Sequence, residues 1–452
     1  MAETFRFHEH AMGAVSIVSD SAVFQDQLSD YFGYLYRVSP HYRGVMESLQ
    51  QSPGANALDL LERFPVTDKE TYRNVLQLEA MEQLRNHSFV TDYSSGSTAK
   101  CVLRLCRAAD DLCEQDVTET VFRRIDMRPG DHFVCMDVGA PEIYDFYFRA
   151  ARNLGLSRMS YLNLTRDYAW SSRPLQALAP TVLLTVPSLL VRAWPHVRGL
   201  WNRGMAPIRA LVHMGEAMHP EFRAEVMATW GCHIYSFYGT TEVGGLGANC
   251  AESDGIHFDP TMVVPTVESP RWIDRETLEG EVLFTTLHIH TQSVVKYRVG
   301  DLIRLTTAPC HCGDPSPRLW FRERTHDAFV IAGEKFRYKA ILEALQEAVS
   351  ALRLLSIEIE DLSDAEGHTL LRLILTEDML PYRDALLEVL QVGIFELDSI
   401  YRYGLVRFDL QFKPASFFEG RKVPRVVDRR RHMSIAPAAQ EGEAGAGEQP
   451  QQ

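Results

Sequence analysis

Residues 236–245 read SFYGTTEVGG and continue a β-rich run that begins at His233. The segment combines an aromatic residue, a glycine turn, two threonines and a carboxylate. Thr241 can donate a hydrogen bond to a phosphate, and Glu242 can hold Mg²⁺, which prefers carboxylate and phosphate oxygens. The alternative is an ordinary strand-end turn with a solvated Glu242. The segments on either side of residues 236–245 decide between a phosphate- and metal-binding turn and an ordinary strand-end turn.

Short apolar runs alternate with amphipathic helices on the N-terminal side of this segment. The runs HFVCMDVG (132–139), TVLLTV (181–186) and IRALVHM (208–214) predict strands, and residues 220–231 predict a helix. This alternation predicts a layered α/β domain with a largely parallel sheet, whose ligand sites lie in loops at the strand ends. Residues 350–433 predict a smaller α/β unit, and the polar residues 434–452 a disordered tail.

Composition excludes several classes of protein. The 452 residues include 46 basic and 60 acidic side chains, a formal charge of −14, which disfavours a nucleic-acid or anionic-membrane binder. No apolar run reaches the roughly 18–20 residues of a membrane span, and the N-terminus lacks a signal-peptide pattern. We therefore expect a cytoplasmic protein whose 8 cysteines are reduced thiols or metal ligands.

Two further polar segments suit a nucleotide. In YRVGDLIRL (297–305), Asp301 follows a glycine turn and can accept two ribose hydroxyls, although an ordinary Gly-Asp turn has the same sequence. In YSSGSTAKC (93–101), hydroxyls, backbone amides and one lysine can surround a polyphosphate. This loop lacks the spacing of a Walker loop, and a surface linker is the alternative.

In their order along the chain, these segments resemble the adenylate-forming superfamily, and within it the phenylacetate-CoA ligase branch. The resemblance covers about residues 20–432 and includes LLERFPVTDKETYRN (60–74), PTVLLTVPSLL (180–190) and VHMGEAM (212–218). It implies a large multi-layer N-terminal adenylation domain with mixed or parallel sheets (1–325). A small mobile α/β lid (326–433) and the disordered tail (434–452) would follow.

The resemblance also implies the roles of individual residues. Thr241 and Glu242 would contact phosphate and Mg²⁺, and Asp301 with Arg324 would hold the ribose. The residues bordering adenine and the acyl pocket would come from the glutamate segment and the aromatic turn: Glu216, Tyr238, Gly239 and Thr240. The loop that closes over ATP phosphates would supply Ser94, Ser95, Gly96, Ser97, Thr98 and Lys100. This loop departs from the family pattern at Ala99 and Cys101.

The C-terminal part carries two further matches. RERTHDAFVIAGEKF (322–336) resembles the family's hinge, with Glu323 and His326 as departures from it. EGRKVPRVVDRRR (419–431) resembles the segment that bears the adenylation lysine and places that lysine at Lys422. Its ammonium would neutralise charge on the α-phosphate during transfer. A basic, solvated strand edge is the alternative for Lys422.

Four cysteine and histidine residues form a candidate zinc set. Cys250 and His257, with Cys310 and Cys312 further on, offer three thiolates and one imidazole for a tetrahedral structural zinc ion. The branch resembled here includes members with such a set, which we expect in loops of one domain. The alternative is buried or surface thiols, and His311 competes as a ligand.

The predicted activity is therefore ATP-dependent activation of a carboxylic acid to an acyl-adenylate, followed by transfer to coenzyme A. The acidic and aromatic segment 135–148 favours a bulky or polar aromatic acid of natural-product biosynthesis. Two alternatives stay open: transfer to an amine or another small nucleophile, which the altered hinge permits, and a non-catalytic regulator that binds a nucleotide or acyl-adenylate. We expect small-molecule partners and no binding to nucleic acid or membranes. Whether the protein forms a homodimer stays open.

Overall fold

A computed structural model of the chain was analysed. It describes residues 4–51, 56–85, 87–94, 102–138, 141–165, 167–200, 208–218, 220–324, 328–352, 355–362, 368–414, 417–418 and 425–430. The strands of these regions are β1 (Phe5–Glu9), β2 (Val15–Ser19), β3 (Phe89–Ser94), β4 (Val102–Arg107), β5 (His132–Asp137), β6 (Arg158–Asn163), β7 (Val182–Thr185), β8 (Ala210–Met214), β9 (His233–Thr240), β10 (Gly244–Cys250), β11 (Ser253–Phe258), β12 (Val263–Trp272), β13 (Thr277–Thr286), β14 (Tyr297–Thr306), β15 (Arg318–Arg324), β16 (Ala328–Ile331), β17 (Glu334–Arg337), β18 (Leu355–Asp361), β19 (Thr369–Thr376), β20 (Val406–Lys413) and β21 (Val426–Asp428).

The α-helices are α1 (Ala22–Val38), α2 (Pro40–Ser48), α3 (Ala57–Arg63), α4 (Lys69–Thr71), α5 (Gln77–Gln83), α6 (Ala108–Arg124), α7 (Pro141–Asn153), α8 (Tyr168–Ser171), α9 (Pro174–Leu178), α10 (Pro187–Val197), α11 (Pro220–Trp230), α12 (Tyr338–Ala348), α13 (Arg383–Glu388) and α14 (Phe395–Arg402). Two π-helical turns (Tyr72–Leu76 and Val389–Gly393) join neighbouring helices, and a 3₁₀ helix (Glu377–Tyr382) joins β19 to α13. Among the described residues, the helices are too short or too polar to traverse a bilayer.

One large mixed sheet organises the N-terminal part of the chain. Its 13 strands run in the order β1-β2-β12-β13-β14-β15-β11-β10-β9-β8-β7-β5-β6. The block β6-β5-β7-β8-β9 is parallel, as the alternating pattern predicts, whereas the pairs from β9 to β1 are antiparallel. The carboxyl ends of the parallel strands share one edge, and such edges are where ligands bind in α/β proteins.

Helix boundaries follow local sequence signals. The Ser21 side chain accepts a hydrogen bond from the backbone of Phe24 and thereby caps α1. Ser39 caps α2 in the same way, and Pro40 occupies its first turn, where the missing N–H costs nothing. In α1 the buried residues recur three and four positions apart and pack on the antiparallel half of the sheet: Phe24, Leu28, Tyr31, Phe32 and Leu35.

The C-terminal part forms a second, four-stranded sheet in the order β20-β19-β18-β21, preceded by the hairpin β16–β17. Its apolar face continues directly into the core beneath the parallel half of the large sheet. The buried Arg192 of α10 crosses this junction and donates to Thr369 Oγ1 (2.9 Å) and to the Leu405 carbonyl oxygen (2.8 Å). The boundary predicted at residue 325 lies between β15 and β16, and the predicted tail 434–452 lies outside the described residues.

Gly247 allows β10 to pack closely against β11. A Cβ atom at this position would collide with the His257 backbone carbonyl, whereas at Gly130 it would meet nothing within 4 Å. Because a strand backbone cannot move without disturbing both neighbours, we expect Gly247→Ala to lower the free energy of unfolding by about 2 kcal/mol or more. Gly130→Ala is the control and should change it by less than about 0.5 kcal/mol. Equal urea midpoints for the two variants would contradict the packing argument.

Candidate active site

The turn between β9 and β10 lies at the ligand-binding edge of the parallel strands. Glu242 sits in this turn, and its Oε1 accepts a hydrogen bond of 2.8 Å from the Tyr297 hydroxyl of β14. The Lys69 ammonium of α4 lies 4.0 Å from the same oxygen. Tyr297 is buried against the Tyr72 ring, so the carboxylate is anchored from two sides. A fixed, partly accessible carboxylate is suited to holding a divalent cation.

Asp301 adjoins this turn from β14. Its side chain is completely buried, and Oδ2 accepts a hydrogen bond of 2.7 Å from the Tyr238 hydroxyl. Across the β14–β15 pair, Asp301 is directly opposite Arg324 in the register. The two residues predicted to hold a ribose therefore occupy one cross-strand position, and Tyr238 orients the carboxylate. Gly239 and Thr240 end strand β9, and Thr241 leads into Glu242.

Glu216 connects the edge to the hairpin β16–β17. It follows β8, is 6% exposed, and accepts a hydrogen bond of 2.6 Å at Oε1 from the Gly333 backbone amide. Ala332 and Gly333 form the hairpin turn with φ of 54° and 85°, the left-handed region that glycine adopts most readily. The turn thus brings the C-terminal part of the chain against the loop after β8.

Acidic side chains from three elements interact electrostatically near the contact between the two parts of the chain. Asp137 ends β5, Glu334 begins β17, and Glu396 lies in α14. Burial and the neighbouring Glu216 raise the pKa of Asp137 to about 6. Burial, with Glu396, Asp137 and Glu216 nearby, raises the pKa of Glu334 to about 8. Burial also raises the pKa of Glu396 to about 7, although Lys69 opposes the shift.

Glu396 should make stability depend on pH. It is 0% exposed, and its folded-state pKa of about 7 exceeds the ordinary value of 4.5. The folded state therefore binds more protons than the unfolded state between these values, and stability falls as pH rises through that window. We expect Glu396→Gln to match the wild type near pH 4.5 and to exceed its free energy of unfolding by about 1–3 kcal/mol at pH 8.

Comparing Glu396→Gln with the wild type isolates the contribution of this carboxyl to the pH dependence of stability. The buried histidines contribute equally to both proteins, and their effect is a stability that rises with pH. Urea denaturation at several pH values measures the difference. The exposed Glu388→Gln is the control and should follow the wild type at every pH. A constant offset between Glu396→Gln and the wild type would contradict the assignment.

Several predicted residues cannot be placed. Ser94 ends β3, which pairs antiparallel with β4, so the predicted phosphate loop connects the two strands of a hairpin. The loop residues Ser95, Gly96, Ser97, Thr98, Lys100 and the departures Ala99 and Cys101 lie outside the described residues, as do His326 and Lys422. The side chains of Ser94, Glu323 and Arg324 are not described.

The cysteine and histidine side chains converge. Cys250 Sγ lies 3.7 Å from Cys310 Sγ, and Cys312 Sγ lies 3.6 Å from His257 Nε2. All four ligand atoms fall within 4.8 Å of one another, and His311 is outside this group. Cys250 and His257 belong to strands β10 and β11, which corrects the expectation that both halves lie in loops. Cys106 and Cys135, outside the cluster, are buried in the core.

This geometry fits a zinc ion. Zinc bonds of about 2.3 Å to sulfur and about 2.0–2.1 Å to nitrogen require tetrahedral edges of about 3.8 Å and about 3.6 Å. The ring of His257 has its Nδ1 3.0 Å from Ser316 Oγ, a contact that fixes the imidazole orientation. Burial and Arg124 lower the pKa of His257 to about 4, which keeps the imidazole uncharged at neutral pH, as a metal ligand must be.

Four buried or partly buried residues near these acids have no role in the sequence analysis. Lys69, Tyr297 and Glu334 lie in quoted segments, and Glu396 lies outside them. A local signal existed for Tyr297, since it opens the motif that carries Asp301. For Lys69 the link is tertiary, because the bridge between Thr67 and Tyr297 brings α4 to this edge.

By comparison with known proteins, the chain shares its fold with a CoA ligase and with an amide bond synthetase. No family model matches it. It is 24% identical over 368 residues to a phenylacetate-coenzyme A ligase of Thermus thermophilus, covering 76% of this chain and 80% of the relative. A 2-hydroxyisobutyryl-CoA ligase structure in complex with 2-HIB-AMP and CoA superposes with a TM-score of 0.69 at 20% identity, over 90% of this chain and 89% of that one. An amide bond synthetase of Marinactinospora thermotolerans gives a TM-score of 0.52 at 13% identity, over 91% and 94%.

Proposed function

We propose that the chain is a distant homologue of phenylacetate-coenzyme A ligase with the fold of the adenylate-forming enzymes. From this premise, it activates a carboxylic acid with ATP and transfers the acyl group to coenzyme A. The observation that carries the proposal is the convergence of Glu242, Asp301 and Glu216 at the carboxyl edge of the parallel strands. These three acids come from separate segments, each of which resembles a nucleotide-site motif of the family.

In the first step, a carboxylate oxygen attacks the α-phosphorus of ATP and pyrophosphate leaves. When bound, Mg²⁺ would stabilise the negative charge of the phosphates. Glu242 would hold the ion, and Thr241 would contact the phosphates. Asp301 and Arg324 would fix the ribose, and Glu216 with Tyr238 would border the adenine and acyl pocket. The loop at 94–100 would cover the phosphates, and the Lys422 ammonium would neutralise charge that develops on the α-phosphate.

In the second step, the thiol of coenzyme A attacks the acyl carbonyl and AMP leaves. The unit at 326–433 would act as a mobile lid that rearranges between the two steps. The acid is proposed to be aromatic and to belong to natural-product biosynthesis. Tyr144 and Tyr161 support this, because their rings lie beside the carboxyl end of β5 with centroids 3.8 Å apart and a tilt of 37° between them.

An amine acceptor is the second candidate. The similarity to an amide bond synthetase over 91% of this chain favours it, together with the hinge departures at Glu323 and His326. In that reaction the amine nitrogen would attack the same carbonyl, and the product would be an amide and AMP.

We further propose that Cys250, His257, Cys310 and Cys312 hold a structural zinc ion. The set fills four tetrahedral positions and leaves no ligand position open for a substrate, as in structural rather than catalytic sites. The ion would join the β10–β11 pair to the loop before β15, at the end of β10 opposite the turn that carries Glu242.

Acid-dependent ATP–pyrophosphate exchange across a panel of aromatic acids tests the proposed function. We expect exchange with at least one acid and a thioester product when coenzyme A is added. Lys422→Ala should reduce exchange by about 10²-fold or more, because it removes charge stabilisation from the transition state. An amide product without a coenzyme A requirement would select the second candidate. Folded protein without exchange on any acid would point to a non-catalytic binding protein.

A further inference from the structure

A buried ion pair packs against the end of the turn that carries Glu242. Arg104 of β4 and Glu114 of α6 are each 6% exposed, and Arg104 Nη2 pairs with Glu114 Oε1. A Cβ atom at Gly244, the first residue of β10, would lie 2.8 Å from Glu114 Oε1 and 3.4 Å from Arg104 Nη2. The two charged groups therefore touch the backbone two residues after Glu242.

The backbone at this contact has little room to shift. Gly244 has a φ of 84°, in the left-handed region that glycine adopts most readily, and a side chain there would displace the Glu114 carboxylate. At the next residue, Gly245, a Cβ atom would lie 2.9 Å from the Phe237 ring of β9. The end of the turn is therefore confined between the ion pair and the neighbouring strand.

Arg104 is held in place by the strand that carries it. The Gln292 side chain accepts a hydrogen bond of 2.9 Å from the Leu105 backbone amide and donates one of 3.1 Å to the Leu103 carbonyl oxygen. These two residues flank Arg104, and Gln292 is itself buried. The position of the guanidinium along β4 is therefore fixed.

The helix that carries Glu114 is tied to the same loop. Asp110 lies in the first turn of α6, and its buried carboxylate accepts hydrogen bonds from the backbone amides of His290 (2.9 Å) and Thr291 (3.0 Å). Residues 290–292 thus hold the elements on both sides of the ion pair. Because strand and helix are anchored together, the pair forms a rigid support.

Stability alone does not account for a buried ion pair. Removing two charges from water costs free energy, and well-packed apolar side chains in the same place are often equally or more stabilising. A guanidinium and a carboxylate do, however, bind each other in a defined geometry. Such a pair suits a support that must keep one backbone segment in a single place.

We infer that Arg104 and Glu114 are positioning residues for Glu242. Their ion pair holds the backbone at Gly244, and this contact keeps the Glu242 carboxylate directed at the divalent cation that it would hold. Tyr297 fixes the carboxylate itself, so the turn is supported through its backbone as well as its side chain. The inference rests on the proposed function, in which the cation binds together with the ATP phosphates.

Calorimetric titration with ATP, with and without Mg²⁺ and without added acid, tests the inference in the absence of turnover. The double variant Arg104→Met/Glu114→Leu replaces the pair with apolar side chains of similar size, and its unfolding temperature should stay within about 5 °C of the wild type. Its affinity for MgATP should fall by about 10- to 100-fold, the range for groups that support a metal ligand, while its affinity for metal-free ATP stays within about threefold. Arg104→Lys keeps the charge and should keep part of the MgATP affinity.

A second ion pair supplies the matched control. Asp131 is buried and pairs with Arg209 just before β5 and β8, at the end of the strands away from Glu242. Asp131→Asn should lower stability without changing the ratio of the two ATP affinities. If the double variant does not fold, Glu114→Gln is the second test variant and should lower MgATP affinity relative to metal-free ATP.

The outcomes separate the inference from the proposed function. Equal losses of affinity for MgATP and metal-free ATP, or no loss of either, would overturn the inference and leave the proposed function intact. A wild type that binds MgATP but shows no exchange with any acid would count against the proposed function, and the two affinities would still decide the inference. A wild type that binds no ATP would count against both.

Discussion

Glu242→Gln lowers the rate of ATP–pyrophosphate exchange by about 10²- to 10³-fold and raises the Mg²⁺ concentration needed for half-maximal rate. The substitution removes the negative charge from a carboxylate held between Tyr297 and Lys69. The glutamine carbonyl can still accept the Tyr297 hydrogen bond, so the turn keeps its shape. The loss would therefore report charge at the metal position rather than a misplaced loop.

Magnesium titrations of exchange in the wild type and in Glu242→Gln measure this effect. Glu252→Gln changes an exposed carboxylate in the turn between β10 and β11 and should behave as the wild type does. Equal melting temperatures for the three proteins would show that the fold is intact. If Glu242→Gln stays within threefold of the wild type at every Mg²⁺ concentration, Glu242 does not hold the metal.

We expect Cys310→Ser to abolish zinc binding and to lower the unfolding temperature by about 5 °C or more, since a structural zinc site would contribute directly to folding free energy. Cys310 lies opposite Cys250 in the cluster, and both thiols are buried. A serine hydroxyl is a poor zinc ligand, so three ligands would remain around a weakened site. The effect on exchange should be smaller than on stability, because the cluster lies at the end of β10 opposite the turn that carries Glu242.

Metal analysis of protein purified without chelator gives the zinc content, with about one ion per chain expected for the wild type. Cys113→Ser is the matched control, because Cys113 is a partly buried thiol of α6 outside the cluster. Wild-type protein free of zinc, with a mass lower by two hydrogens, would instead indicate a Cys250–Cys310 disulfide. Its sulfur atoms would have to approach from 3.7 Å to about 2.05 Å.

Local pattern was sufficient where neighbouring residues define the element. The apolar runs at 132–139, 181–186 and 208–214 predict β5, β7 and β8, and their alternation with helices predicts the parallel half of the sheet. The local sequence pattern does not predict β1, β2 or the antiparallel half of the large sheet. Those strands find partners far away in the chain, as β2 does in β12.

The sequence by itself determined the ordered motifs, the α/β class and the identity of most candidate site residues, because each depends on residues close together in the chain. Tertiary structure alone decided which of them meet. It placed Tyr297 on Glu242, brought Lys69 to the same carboxylate, and set the thiols of Cys250 and Cys310 3.7 Å apart. It also brought Asp137 and Glu396 close enough to Glu334 to interact electrostatically. Such contacts join residues up to about 260 positions apart through packing, so no local pattern can encode them.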